Sequence, residues 1–145
     1  MLCKIKYEFS VTGHSLGAAL ATHAAAHITK AGHKVIEFYN FGSPRVGNAK
    51  FSQWFDNIVK ANTKARVTHS HDPVPHLPLH DWGFNHISHE IFYKGKKTDG
   101  YVSCSDTNVK EDSNCSDKNK MDVNVLDHCT YYDIDFTGIV MACQL

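Results

Sequence analysis

Ser15 is flanked by glycine two positions before and two positions after, in Gly13-His14-Ser15-Leu16-Gly17. A serine hydroxyl is a poor nucleophile until a histidine takes its proton and a carboxylate holds that histidine in the right tautomer. This glycine spacing, on a turn from strand to helix, is the pattern of a nucleophile elbow. So tight a turn leads us to expect that a Cβ at either flanking position would collide with the strand or helix, making both glycines necessary. Strain in the turn would lift the Ser15 hydroxyl above a sheet. The start of the following helix, beginning with the Leu16 N–H, would bring a backbone donor and partial positive charge to a developing oxyanion.

In sheets built around such an elbow the partners follow the serine, acid first and histidine last. Asp72 fits the acid, because it lies just past the end of a strand pattern and Pro73 and Pro75 stiffen its loop. Asp56 falls inside a helix pattern and Asp81 in the middle of a loop, so both are weaker candidates. His128 completes the order Ser15, Asp72, His128. His86 and His89 also follow Asp72, but His89 falls in a strand pattern. Asp127 is adjacent to His128, and adjacent side chains diverge, so Asp127 is expected to face solvent.

A second histidine group, His69, His71, His76, His80 and His86, invites a metal reading, since alternate strand positions can chelate a divalent ion. Pro78 sits between His76 and His80 and spoils the helical face that such a pair needs. No metal and no other cofactor is expected.

These residues need elements to position them. Tyr7, Phe9 and Val11 alternate with polar residues as a strand does, and an alanine-rich helix runs from Leu16 to Lys30. Gly32 stops it, and Val35 to Phe41 reads as a buried strand. Asn48 can cap a helix from Ala49 to about Lys60, with Phe51, Trp54, Phe55, Ile58 and Val59 on its apolar face. Strands are expected at Ala65 to Ser70 and Ile87 to Tyr93. Residues 98–124 are polar and read as weakly structured, with a short strand near Gly100 to Val102. From Asp133 to Leu145 a terminal helix or an irregular tail is expected. Strand and helix alternate, which predicts an α/β fold with a parallel sheet.

The 145 residues carry 15 basic and 15 acidic side chains, so charge favours neither nucleic acid nor an anionic membrane surface. Eleven histidines would add positive charge as pH falls from 7 to 5. No run of eighteen apolar residues exists, so no membrane-spanning helix is expected. Met1 to Lys6 lacks the apolar region of a signal peptide. The five cysteines contain no C-x-x-C pair; Cys104 and Cys115 bracket a polar loop that they could close.

Taken together, Val11-Thr12-Gly13-His14-Ser15-Leu16-Gly17-Ala18, Phe41-Gly42-Ser43-Pro44-Arg45-Val46-Gly47-Asn48, Arg66 to His69, Asp72-Pro73-Val74-Pro75-His76-Leu77-Pro78, Gly83-Phe84, His86, Glu90 and Asp127-His128 resemble the fungal-type, class 3 lipase family of α/β hydrolases. Ala18 stands where glycine is more usual. The resemblance implies Ser15 as nucleophile, Asp72 as acid, His128 as base and Leu16 N–H as an oxyanion donor. It also implies a Cys104–Cys115 disulfide and a lipid ester substrate, such as an acylglycerol, met at an interface. The parent protein would be secreted or in a lysosome-like compartment. In that family further strands, a second oxyanion donor and a lid precede the elbow. Residues 1–145 are therefore expected to be a single partial domain, the C-terminal half, with helices on both faces of its sheet. The strand at Lys4 to Thr12 would be an exposed edge prone to self-association. Two other functions are weighed beside the ester hydrolase: an inactive half-domain that binds or assembles, and a histidine-rich metal binder.

Overall fold

The computed structural model describes residues 7–107 and 110–138. Its main elements are β1 (Glu8–His14), α1 (Leu16–Lys30), β2 (Lys34–Phe41), α2 (Ala49–Ile58), β3 (Thr63–His69), β4 (Glu90–Tyr93), β5 (Val102–Ser103), α3 (Val125–His128), β6 (Thr130–Tyr131) and β7 (Ile134–Asp135). The sheet order is β1-β2-β3-β4-β5. The first four strands are parallel and β5 runs antiparallel to β4. Parallel strands end on the same side, so the chain leaves β1, β2 and β3 along one edge, where ligands collect in such sheets.

Apolar burial sets the two faces. On one, Ala21, Ala25 and Ala26 of α1 and Phe55 of α2 pack against Val35 and Phe38 of β2. Small alanines let α1 lie close to the sheet. Phe38 and Phe55 are fully buried and meet edge-to-face with centroids 5.3 Å apart, each contributing about 1.5–3 kcal/mol by burial. On the other face Ala65, Val67 and Tyr93 are covered by Tyr131, with Tyr39, Phe41 and Phe136 around them. Among the described residues both long helices thus lie on one face, and the β6–β7 hairpin packs the other. Asn48 caps α2 as expected, accepting from the Phe51 N–H at 3.0 Å. Trp54, expected on the apolar face, is 40% exposed, while Ser52 is buried and donates to the Asn85 carbonyl.

Three expectations are corrected. β4 starts at Glu90 rather than Ile87, because His89 takes a left-handed φ of 73° that breaks the extended run. Residues 98–124 are tied down by buried ion pairs and a disulfide. Arg45 forks onto both Glu111 oxygens at 2.6 and 2.7 Å. Arg66, fully buried, bonds Glu90 at 2.9 Å and Asp106 at 3.0 Å. Ser116 Oγ and Thr68 Oγ1 donate to Glu90, and Cys104 joins Cys115. Burial alone would raise the Glu90 carboxyl, but Arg66 and the hydroxyl donors outweigh it and hold it below the usual range. At the other end, 133–135 form part of a hairpin turn and strand, not a helix or tail. Residues 137–138 are helical, in keeping with the expected terminal helix, and the rest of that expectation, 139–145, lies outside the described residues.

Two buried imidazoles make stability depend on pH. Burial first, then the nearby Arg66 and Arg45, push His86 well below its ordinary value; burial and Arg45 lower His76. The unfolded chain takes up these protons near pH 6.5 and the folded chain does not. Their contribution is therefore complete above about pH 6.5 and is lost as pH falls towards the depressed folded values. Urea unfolding at pH 7.5, 6 and 5 should show a falling midpoint, with a slope of up to about 1.4 kcal/mol per pH unit per histidine. His86→Gln should flatten that slope, and an unchanged slope would contradict the assignment.

Candidate active site

The elbow is local chemistry. Ser15 sits between β1 and α1 with φ 58° and ψ −128°, a conformation costing a non-glycine residue about 1–3 kcal/mol. It is held because the Ser15 N–H donates to the Phe41 carbonyl at 3.0 Å, and the Ala18 and Ala19 N–H groups bond the Ser15 carbonyl. The N–H of Leu16 precedes those first intrahelical bonds and has no partner within the helix. A Cβ on Gly13 would run into the Gly17 carbonyl and lie 2.8 Å from the Ala18 nitrogen. Around Gly17, in contrast, a Cβ would meet nothing within 4 Å among the described residues. The expectation that both glycines are sterically required is thus corrected: Gly13 faces into the first turn of α1, whereas the space beside Gly17 is open.

Asp72 follows β3 through a reversal at Ser70, whose φ is 44°. Its side chain is buried, and Oδ1 accepts from the Val74 N–H at 2.8 Å. His128 ends the short helix α3. Its Nδ1 lies 3.0 Å from both Asp72 oxygens, and its Nε2 lies 2.7 Å from Ser15 Oγ. With Nδ1–H donating to the carboxylate, Nε2 is left as an acceptor for the Ser15 proton. Ser15, Asp72 and His128 are thereby brought together. The other candidates are not. His86 is buried against the Pro75 carbonyl at 2.7 Å, and His89 is exposed. Asp56 bonds Lys64 and Ser88, and Asp81 is exposed in a 3-10 turn. His69 and His71 bond the backbone carbonyls of Asp127 and Asp122. Among the described residues no group of three or more His, Cys, Asp or Glu side chains is arranged to hold a metal ion.

Four residues complete the site that sequence reasoning missed. Tyr131 donates its hydroxyl to Asp72 Oδ2 at 2.6 Å. Burial, then the Asp72 charge, raise that phenol well above its ordinary value, so it stays a donor. Gly42, with φ 54°, forms the floor: a Cβ there would lie 2.8 Å from Asp72 Oδ2 and from the Tyr131 hydroxyl, and 3.1 Å from His128 Nδ1. His14 stacks on His128 with centroids 4.6 Å apart, and its Nε2 is 2.8 Å from the His128 carbonyl. Burial and the neighbouring His128 lower the His14 imidazole, keeping it neutral with Nε2–H aimed at that carbonyl. Asp127 corrects its expectation. It turns inward to accept from the His71 N–H at 3.0 Å and from Asn124 Nδ2 at 2.9 Å, clamping α3 onto the loop that carries Asp72. The usable signals were the Asn124-x-x-Asp127 spacing, a capping pattern, and Tyr131 three residues beyond His128.

Tyr131→Phe should slow the reaction of Ser15 with a fluorophosphonate about ten-fold, the worth of one hydrogen bond of roughly 1.4 kcal/mol. The second-order labelling rate measures this; a rate equal to wild type would show that Tyr131 only packs.

The family model described as Lipase (class 3) matches residues 2–82. A curated relative, secreted mono- and diacylglycerol lipase 1 of Fusarium solani, is 39% identical over 130 residues, 87% of this chain and 38% of that protein. The structure of lipase II from Rhizopus niveus superimposes with a TM-score of 0.75 at 30% identity, over 89% of this chain and 48% of that one. A triacylglycerol lipase, whose catalytic centre is described as a serine protease triad, superimposes with a TM-score of 0.78 at 30% identity, over 89% and 49% of the two chains. The chain thus spans from 38% to 49% of the length of these proteins.

Proposed function

The chain belongs to the class 3 lipase family, with part of the α/β-hydrolase fold, and on that footing we propose that it hydrolyses carboxylic esters through an acyl-enzyme on Ser15. The observation that carries this reading is the unbroken run from Ser15 Oγ through His128 to Asp72, at 2.7 Å and then 3.0 Å. Ser15 Oγ bonds the acyl carbon as its proton passes to His128 Nε2. The carbonyl oxygen takes up negative charge facing the Leu16 N–H. Asp72 offsets the imidazolium, and Tyr131 and the Val74 N–H keep that carboxylate in place. Collapse breaks the bond to the alcohol, which leaves with the proton from Nε2. A water molecule, deprotonated by His128, then releases the acid and returns the proton to Ser15.

The substrate we propose is an acylglycerol or related lipid ester. Exposed apolar side chains beside the reacting groups support this: Leu16 next to Ser15, Leu20 one turn on, and Leu126 two residues before His128. So does the name of the Fusarium relative, a mono- and diacylglycerol lipase. A secretory route for the parent protein is supported by that relative's being secreted and by the Cys104–Cys115 disulfide. No helix among the described residues is long and apolar enough to cross a membrane.

Fatty-acid release from monoacylglycerol micelles and triacylglycerol emulsions tests the reading. Release that is abolished by Ser15→Ala is expected, and equal release from that variant would overturn it. The second reading, a fragment that binds or assembles, is favoured by one observation: β1 lies at the edge of the sheet among the described residues. A folded chain that releases no fatty acid and self-associates would support it.

A further inference from the structure

Asn114-Cys115-Ser116 is the one Asn-x-Ser/Thr tripeptide in the chain; none of the other eight asparagines has serine or threonine two residues on. We propose that Asn114 carries an N-linked glycan, acquired from a lipid-pyrophosphate-linked oligosaccharide before Cys115 pairs with Cys104. This rests on the secretory reading of the parent protein, since the donor and its transferase occur there.

The tripeptide's two ends have opposite fates in the fold. Asn114 is exposed on the turn that follows Asp112. Its backbone N–H and its side-chain Nδ2 both bond Asp112 Oδ1, at 2.9 and 3.1 Å. In the transfer, Nδ2 bonds the anomeric carbon and the bond from that carbon to the pyrophosphate oxygen breaks. The lipid pyrophosphate leaves with the electron pair, and one amide proton is lost to a base of the transferase. The remaining N–H can still donate to Asp112, so the folded turn tolerates the product. None of the hydrogen-bond partners of Asn114 belongs to the Ser15, His128 and Asp72 set.

The other end is closed once the chain folds. The transferase must engage the Ser116 hydroxyl, but that hydroxyl is buried and donates to Glu90 Oε1 at 2.5 Å. The Ser116 N–H points at the same oxygen at 3.3 Å. Between the two ends, Cys115 is fully buried and bonded to Cys104. The tripeptide is therefore an acceptor only while the chain is extended, and glycan transfer competes with disulfide closure.

Expression behind a secretion signal in eukaryotic cells tests this, with the glycan read in both cell lysate and medium so that folding does not gate the result. Wild-type protein should lose mass on treatment with a peptide-N-glycosidase, with Asn114 converted to Asp in the mapped peptide. Asn114→Gln should lose the shift completely. Cys104→Ser, which leaves Cys115 unable to close, should raise the occupied fraction. Protein with the Cys104–Cys115 disulfide but no glycosidase-sensitive mass would overturn the proposal and leave the secretory reading standing. Protein with neither would overturn both.

Discussion

Replacing Ser15 by glycine should abolish ester turnover, by about 10⁶-fold in kcat, and leave the protein more stable than the equally inactive Ser15→Ala. The loss of rate is the size typical of removing a triad serine, whose partners then have nothing to activate. The stability difference comes from the backbone. Ser15 is held at φ 58°, where glycine sits without penalty and alanine does not, a difference of about 1–3 kcal/mol. Glycine gives back roughly 0.5–1 kcal/mol through its freer unfolded chain. The glycine variant should therefore exceed the alanine variant by about 1 kcal/mol in urea unfolding. A glycine variant no more stable than the alanine variant would show that the elbow carries no strain.

Asp72→Asn should reduce kcat by about 10⁴-fold with little change in KM. The carboxylate accepts from three donors: His128 Nδ1–H, the Tyr131 hydroxyl and the Val74 N–H. A carboxamide has one accepting atom. If its oxygen keeps the Val74 N–H, its NH₂ replaces Oδ2 and faces His128 Nδ1. That contact selects the tautomer with Nδ1 bare and the proton on Nε2, which cannot take the Ser15 proton. Steady-state kinetics on a soluble ester would check it. A loss under ten-fold would mean that His14 or Asp127 orients His128 instead.

The three residues that the structure brings together, Ser15, Asp72 and His128, could be read in the chain because their signals are local. Gly13 to Gly17 marks a turn between a period-two strand and an alanine-rich helix, and Asp72 follows β3 before two prolines. What supports these residues was not legible, because it is made at a distance. His14 meets His128 across 114 positions, and Tyr131 reaches Asp72 across 59. No periodicity encodes such a contact. Residues 98–124 read as loosely structured for a related reason: their order comes from Glu111, Asp106 and Ser116 meeting Arg45, Arg66 and Glu90, not from an apolar pattern. β4 came out shorter than its apolar run because one residue, His89, adopts a left-handed φ.

The most direct measurement is fluorophosphonate labelling of the folded chain, read by intact mass and peptide mapping, with His128→Ala beside it. The account predicts one adduct, on Ser15, and a labelling rate lowered by about 10⁴-fold or more in the variant. Equal labelling of the two proteins, or a folded chain that takes no adduct, would contradict it.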